Sequence, residues 1–105
     1  MKLEDLLKQA RSMQAQLGET QDAIKAARVT GESGGGLVRV TLNGAFEALR
    51  VEIDPMTADE ERSVLEDLVA AAINDAVRRV EALQREKMGA VARGLGLPPG
   101  LNLPS

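Results

Sequence analysis

The chain has 105 residues, 44% of them hydrophobic and 28% charged, a balance that fits one soluble domain. It contains no His, Cys, Trp or Tyr, and Phe46 is its one aromatic residue. Thiol nucleophiles, imidazole bases, zinc sites of the nitrogen/sulfur kind, disulfides and base-stacking platforms for single-stranded nucleic acid are thereby excluded.

Only carboxylate, lysine or hydroxyl catalysis is left, so a non-enzymatic protein without cofactor, metal or small-molecule substrate is expected. The longest apolar run, Leu68 to Ile73, ends at Asn74-Asp75, far short of the roughly eighteen residues that suggest a membrane span. Charged Lys2, Glu4 and Asp5 stand where an apolar signal core would begin. A cytoplasmic protein without a membrane partner is expected. The net charge of −3 is unevenly spread: residues 1–51 carry +1, residues 52–75 carry −7 and residues 76–105 carry +3. A chain of this size buries about two-thirds of its surface on folding, leaving room for a partner subunit to complete the core.

Leu3, Leu6, Ala10, Met13, Leu17, Ile24 and Ala27 fall on a heptad, with Thr20 in the remaining slot. The spacing predicts a long amphipathic helix over 1–27, its seam facing either its own domain or a second chain. Gly18 weakens it by about 1 kcal/mol relative to Ala. After Arg28 the texture changes to alternating β-branched and polar residues. Val38, Val40 and Leu42 share one strand face, and Leu49, Val51 and Ile53 share another. Asn43-Gly44 between them favours a type I′ turn, which makes 37–42 and 45–54 an antiparallel hairpin. A shorter strand near 28–33 joins it through Gly34-Gly35-Gly36, and the sheet as a whole spans 28–54.

Pro55 ends the last strand. Thr57-Ala58-Asp59-Glu60 has the spacing of a capping box, so a second helix over 58–93 is expected, with Asp59, Glu60 and Glu61 in its first turn. Leu65, Leu68, Val69, Ala72, Ile73, Ala76, Val77 and Val80 form a wide apolar face fit to lie on a sheet. Beyond Val80 the face narrows and the last turns project. The ending, 94–105, is broken by Pro98, Pro99 and Pro104 and reads as an extended tail whose Leu95, Leu97, Leu101 and Leu103 are apolar enough to dock. The result is a single α+β domain over 1–105, ordered α-β-β-β-α. Its small antiparallel three-stranded sheet has a long helix before and after it.

Gly31-Glu32-Ser33-Gly34-Gly35-Gly36 lacks the lysine and the following helix of a phosphate-binding loop and reads as a strand connection. The carboxylates at 59–61 and 66–67 read as a capping run and a solvated face. The basic residues carry more information. Arg78, Arg79, Arg85, Lys87 and Arg93 cluster on the second helix, and Lys8 with Arg11 and Lys25 with Arg28 form i, i+3 pairs beside or on the first. Such cations on projecting helices suit duplex phosphates. The alternative is a solvated face with intrahelical pairs such as Arg78 with Glu81 or Glu81 with Arg85.

The segments V-T-G-E-S-G-G-G-L-V-R-V-T-L-N-G, V-E-I-D-P and L-E-D-L-V-A-A-A-I-N-D-A follow one another here, between a Gln/Met-rich first helix and a Gly-Leu-x-Leu-Pro-Pro-Gly ending. Together they resemble the YbaB/EbfC family of bacterial nucleoid-associated proteins. The resemblance implies a cytoplasmic, nucleoid-located homodimer that grips double-stranded DNA between paired protruding helices. It also implies DNA contacts on the first and last helices, which here fall on Lys8, Arg11, Lys25, Arg78, Arg79, Arg85 and Lys87. Gly31, Glu32, Gly34, Asn43, Gly44, Asp54 and Pro55 read as architectural. The expected function is DNA binding with low or no sequence preference, affecting nucleoid organisation and gene expression. The rival is an adaptor docking DNA replication or repair proteins, with incidental DNA contact. The −7 segment would repel phosphate unless the assembly turns it away.

Overall fold

A computed structural model describes residues 2–94; the expected tail beyond Gly94 lies outside them. The order is α1 (Leu3–Ala26), β1 (Arg28–Ser33), β2 (Val38–Asn43), β3 (Ala48–Ile53), a 3-10 turn (Pro55–Asp59) and α2 (Arg62–Gly94). This is the α-β-β-β-α, α+β architecture expected from the sequence. The strands form one antiparallel sheet in the order β1-β2-β3.

β1 and β2 are joined by Gly34, Gly35 and Gly36, with φ of 62°, 68° and 96°. Three successive residues in that region are tolerated only without side chains. The β2–β3 turn differs from the expected two-residue type I′ turn. Phe46 N–H donates to Asn43 O at 3.1 Å and Asn43 N–H to Glu47 O at 3.0 Å, enclosing the three-residue loop Gly44–Phe46 with Phe46 at φ 62°. The Asn43 side-chain oxygen accepts from the N–H groups of Ala45 and Glu47 at 2.9 and 3.0 Å, so Asn43 acts by closing the loop. Gly44 is needed for another reason. Its N–H donates to Ala27 O at 3.1 Å, and a Cβ there would collide with the backbone of Ile24.

The second helix also starts later than expected. Asp54 caps the 3-10 turn by accepting from Met56 N–H at 2.8 Å, and buried Thr57 donates its hydroxyl to Asp54 O at 2.7 Å. Thr57 therefore closes the preceding turn and is not the cap of α2. Glu60 is extended, with ψ 150°, and α2 begins at Arg62. Asp59, Glu60 and Glu61 stand just ahead of the helix, still near the positive end of its dipole.

Val38, Val40 and Leu42 of β2 are buried against Ala72, Ala76 and Val80 of α2, with Val29, Leu65, Leu68, Val69 and Val77 around them. Small residues on α2 let it lie close to the sheet, and Gly31 lets β1 come closest: an added Cβ would enter the backbone at Ala72 and Ala76. α2 lies over β1 and β2. β3 is left bare. Val51 and Ile53 are cross-strand partners of Val40 and Val38, hence on the same sheet face, yet they are 49% and 45% exposed.

Past Val80, α2 leaves the sheet. Gln84 donates to Gly44 O at 3.1 Å, beside Ile24, so α1 and α2 run antiparallel from that point. Buried Ile24 and half-buried Leu17 and Thr20 of α1 face half-buried Leu83, Met88 and Val91 of α2. The helix pair extends the sheet into a body 70 Å long and 24 by 16 Å across.

Candidate nucleic-acid interface

The seven cations expected to meet phosphate fall into two groups. Arg78 and Arg79 sit over the sheet-covering part of α2 and are held by Asp75, at 3.8 Å and 3.0 Å. This replaces the expected pairing of Arg78 with Glu81. Asp75 also accepts the backbone N–H of Glu32 at 2.9 Å. That bond first, then Arg79 and Arg78, holds its carboxyl below its ordinary value of 3.8. These two guanidinium groups are committed to a carboxylate already in use.

Lys8, Arg11, Lys25, Arg85 and Lys87 are different: all are exposed, and among the described residues none has a carboxylate within ion-pair distance. All lie on the helix pair that stands off the sheet. Lys25 is in the last turn of α1, where its charge complements the helix dipole. It stands level with Arg85, because Ile24 and Gln84 both meet Gly44. Lys8 and Arg11 lie farther out. From Lys8 to Lys25 is about 26 Å of helix at 1.5 Å per residue, three-quarters of a duplex turn of about 34 Å. Lys8 is about 200° of helical rotation from Ala10 of the apolar seam, so the cation and the seam use opposite sides of α1.

The acidic segment is at the other end. Asp59, Glu60, Glu61, Glu66 and Asp67 surround the start of α2, beside the Ser33–Leu68 contact, whereas Arg85 lies about 35 Å farther along the same helix. With a Debye length of about 8 Å at physiological ionic strength, charges so far apart act independently in water. Two of the remaining acids are neutralised locally, Glu52 by Arg50 at 3.2 Å and Asp75 by its two arginines. The cluster at residues 59–67 is therefore remote from Arg85, and the carboxylates that share the helix pair with the free cations are Glu4, Asp5, Glu19, Asp22, Glu81 and Glu86.

Sequence reasoning missed Asp75. Its spacing to Arg78 and Arg79, i, i+3 and i, i+4 on one helix, was a local signal; its bond to β1, 43 residues earlier, is visible only after folding. Among the described residues no group of three or more Asp or Glu side chains is gathered as metal ligands, and no helix is long and apolar enough to cross a membrane.

Comparison with known proteins places these features. The profile of the YbaB/EbfC DNA-binding family matches residues 1–95. A solved structure, that of the uncharacterized protein HP0035 from Helicobacter pylori, superposes with a TM-score of 0.65 at 24% identity, covering 82% of this chain and 91% of that one. That likeness concerns the fold.

Proposed function

Because the chain belongs to the YbaB/EbfC DNA-binding family, we propose that it acts as a non-enzymatic, nucleoid-associated homodimer that grips double-stranded DNA with low or no sequence preference. The observation that carries this reading is that Lys8, Arg11, Lys25, Arg85 and Lys87 stand exposed on the projecting helix pair with no carboxylate partner among the described residues. Phosphate contacts of this kind give affinity and orientation without reading bases. The described residues offer no row of aromatics for base stacking.

Dimerisation is supported by the bare face of β3. Leu49, Val51 and Ile53 are each 45–49% exposed, and they continue a face whose other half is the hydrophobic core. Burying such a row against a second copy would complete the core and bring two helix pairs to one duplex, raising affinity through effective concentration. The acidic ends would lie away from the DNA, and the site of action would be the cytoplasmic nucleoid.

The test is anisotropy of a labelled random duplex titrated with protein at several salt concentrations, with a second duplex as competitor. Saturable binding, indifferent to competitor sequence and weakening linearly in log salt at about 0.9 per phosphate, supports the proposal. No binding at low salt would hand the lead to the adaptor reading, with DNA replication or repair proteins as the partners to seek.

A further inference from the structure

The two outer strands of the sheet differ at their edges. Each has a neighbouring strand on one side only. Asp54 N–H donates to Leu37 O at 2.8 Å, and Arg39 and Thr41 stand opposite Glu52 and Arg50. Alternation along the ladder then turns the backbone groups of Arg50 and Glu52 toward β2 and those of Val51 and Ile53 outward. Carried across β2, the same alternation turns the groups of Thr30 and Glu32 out of β1. There Asp75 takes the Glu32 N–H at 2.9 Å and α2 lies over the strand, so the β1 edge is occupied by the molecule's own side chain. Among the described residues no side chain or strand does the same for β3.

An open edge that also carries a bare apolar row is a template for another strand. The charges on the opposite face of β3 select which strand, and in what register. Arg50 and Glu52 lie there side by side, 3.2 Å apart. When a second β3 runs antiparallel about a two-fold axis at Val51, Val51 meets the partner's Val51, Leu49 meets the partner's Ile53, and Arg50 meets the partner's Glu52. By symmetry the last two pairings occur twice. From 49 to 53 every opposed pair is then apolar with apolar or opposite in charge, the combinations that stabilise neighbouring strands. Moving the axis to residue 50 or 52 opposes two arginines or two glutamates, and moving it to Ile53 opposes Glu52 and the partner's Asp54. Like charges directly opposite are destabilising. Moving it to Leu49 leaves Arg50 facing the partner's Ala48 and loses the ion pairs. The strand is self-complementary in one register.

Resting on the homodimer reading above, we propose that β3 pairs edge to edge with β3 of a second copy, antiparallel and centred on Val51, to form one six-stranded sheet. Val51 exchanges its N–H and C=O bonds with the partner's Val51, and the two apolar rows adjoin along the middle of the sheet, between the two α2 helices. Ile73, 40% exposed, stands about 200° around α2 from Asp75, hence on the flank of the helix turned toward this strip. Assembly stops at two copies because the edges left over are the two β1 strands, each held by its own Asp75.

The test is a charge exchange between full-length chains. Arg50→Glu alone opposes glutamates across the axis, and Glu52→Arg alone opposes arginines, so each variant should dissociate with a Kd raised roughly ten-fold or more. Mixed one to one, the two variants oppose glutamate to arginine at every position and should recover a heterodimer of the natural affinity, which also shows that each is folded. Light scattering after size exclusion and sedimentation of the separate and mixed proteins read these outcomes. A second measurement uses the absence of cysteine from the natural chain. Strand residues that exchange both backbone bonds have Cα atoms about 5.5 Å apart, within disulfide reach, so Val51→Cys should give a covalent dimer on mild oxidation. The Thr30→Cys control on β1 should stay unlinked. A natural protein that is a dimer but is indifferent to both charge reversals would overturn the edge pairing, whatever residue 51 does, and leave the homodimer reading in place. A natural protein that is a monomer would overturn both.

Discussion

Asp75 on α2 accepts the backbone N–H of Glu32 on β1 at 2.9 Å, and the same carboxylate oxygen accepts Arg79 Nε at 3.0 Å. One side chain thus ties the edge strand to the long helix and holds two of the cations that the sequence offers to DNA.

The first consequence is a pH dependence. The folded carboxyl titrates below its ordinary value of 3.8, so the folded state binds fewer protons than the unfolded one as the pH approaches that value. The stability it supplies is fully present above about pH 4 and is lost as pH falls through the lower folded pKa. Urea midpoints of the natural protein and Asp75→Ala should differ by a constant amount from pH 5 to 8, with the variant weaker. Below about pH 4 the gap should close. A gap that persists at low pH would show that the carboxylate's charge is not what matters.

The second consequence concerns DNA. Asp75→Asn keeps an oxygen for the Glu32 N–H but removes the charge that holds Arg78 and Arg79. Duplex affinity should rise and the salt slope should steepen by about 0.9 for each phosphate gained. Anisotropy titrations at two salt concentrations read both quantities. Unchanged affinity would mean that this part of α2 faces away from the duplex.

The architecture was legible in the sequence because period and punctuation agreed: a heptad run, a β-alternating run with glycines, then a second helical face. What misled was local chemistry that tertiary contact reassigned. Asn43-Gly44 has the composition of a type I′ turn, but Gly44 is spent on close approach to Ile24, and the positive φ falls on Phe46. Thr57 has the spacing of a capping box, but its hydroxyl goes back to Asp54. Nor could alternation distinguish β2 from β3. Val40 and Val51 are direct partners, one fully buried and the other about half exposed, because α2 covers only one of them. The basic residues were visible one by one, and the spacing of Asp75 to Arg78 and Arg79 was open to reading as well; what was not legible is the bond that anchors Asp75 to β1.

The glycines should separate by environment. Gly31→Ala places a methyl group in the backbone of α2 and Gly44→Ala places one in that of α1. Each should cost on the order of 1–3 kcal/mol or more, as overpacking does. Gly18→Ala meets nothing in a helix interior and should stabilise by about 0.5–1 kcal/mol. Urea unfolding of the three variants checks both signs together.

Val51→Glu tests the dimer surface. The side chain is half exposed in the single chain, so the substitution is compatible with the protomer fold, but a carboxylate buried without a partner in an apolar interface is strongly unfavourable. Light scattering after size exclusion should show the natural protein as a dimer and the variant as a monomer with unchanged circular dichroism. DNA binding should weaken with the loss of the second helix pair. A variant that remains dimeric would move the interface off β3.

Charge reversal on α2 should distinguish the two groups of cations. Arg85 and Lys87 are exposed without carboxylate partners among the described residues, whereas Arg78 and Arg79 share Asp75. If each free cation meets a phosphate, Arg85→Glu with Lys87→Glu removes up to four contacts from a dimer. The salt slope should then fall by roughly 3.6, at about 0.9 per phosphate. Arg78→Glu with Arg79→Glu should change the slope less, since phosphate must first displace Asp75 from those groups, and it should also lower stability by placing like charges beside that carboxylate. The two double variants, titrated against the same random duplex and unfolded in the same urea series, should move in opposite order in the two experiments. Equal losses of DNA affinity would return Arg78 and Arg79 to the binding surface, and no loss from either would remove α2 from it.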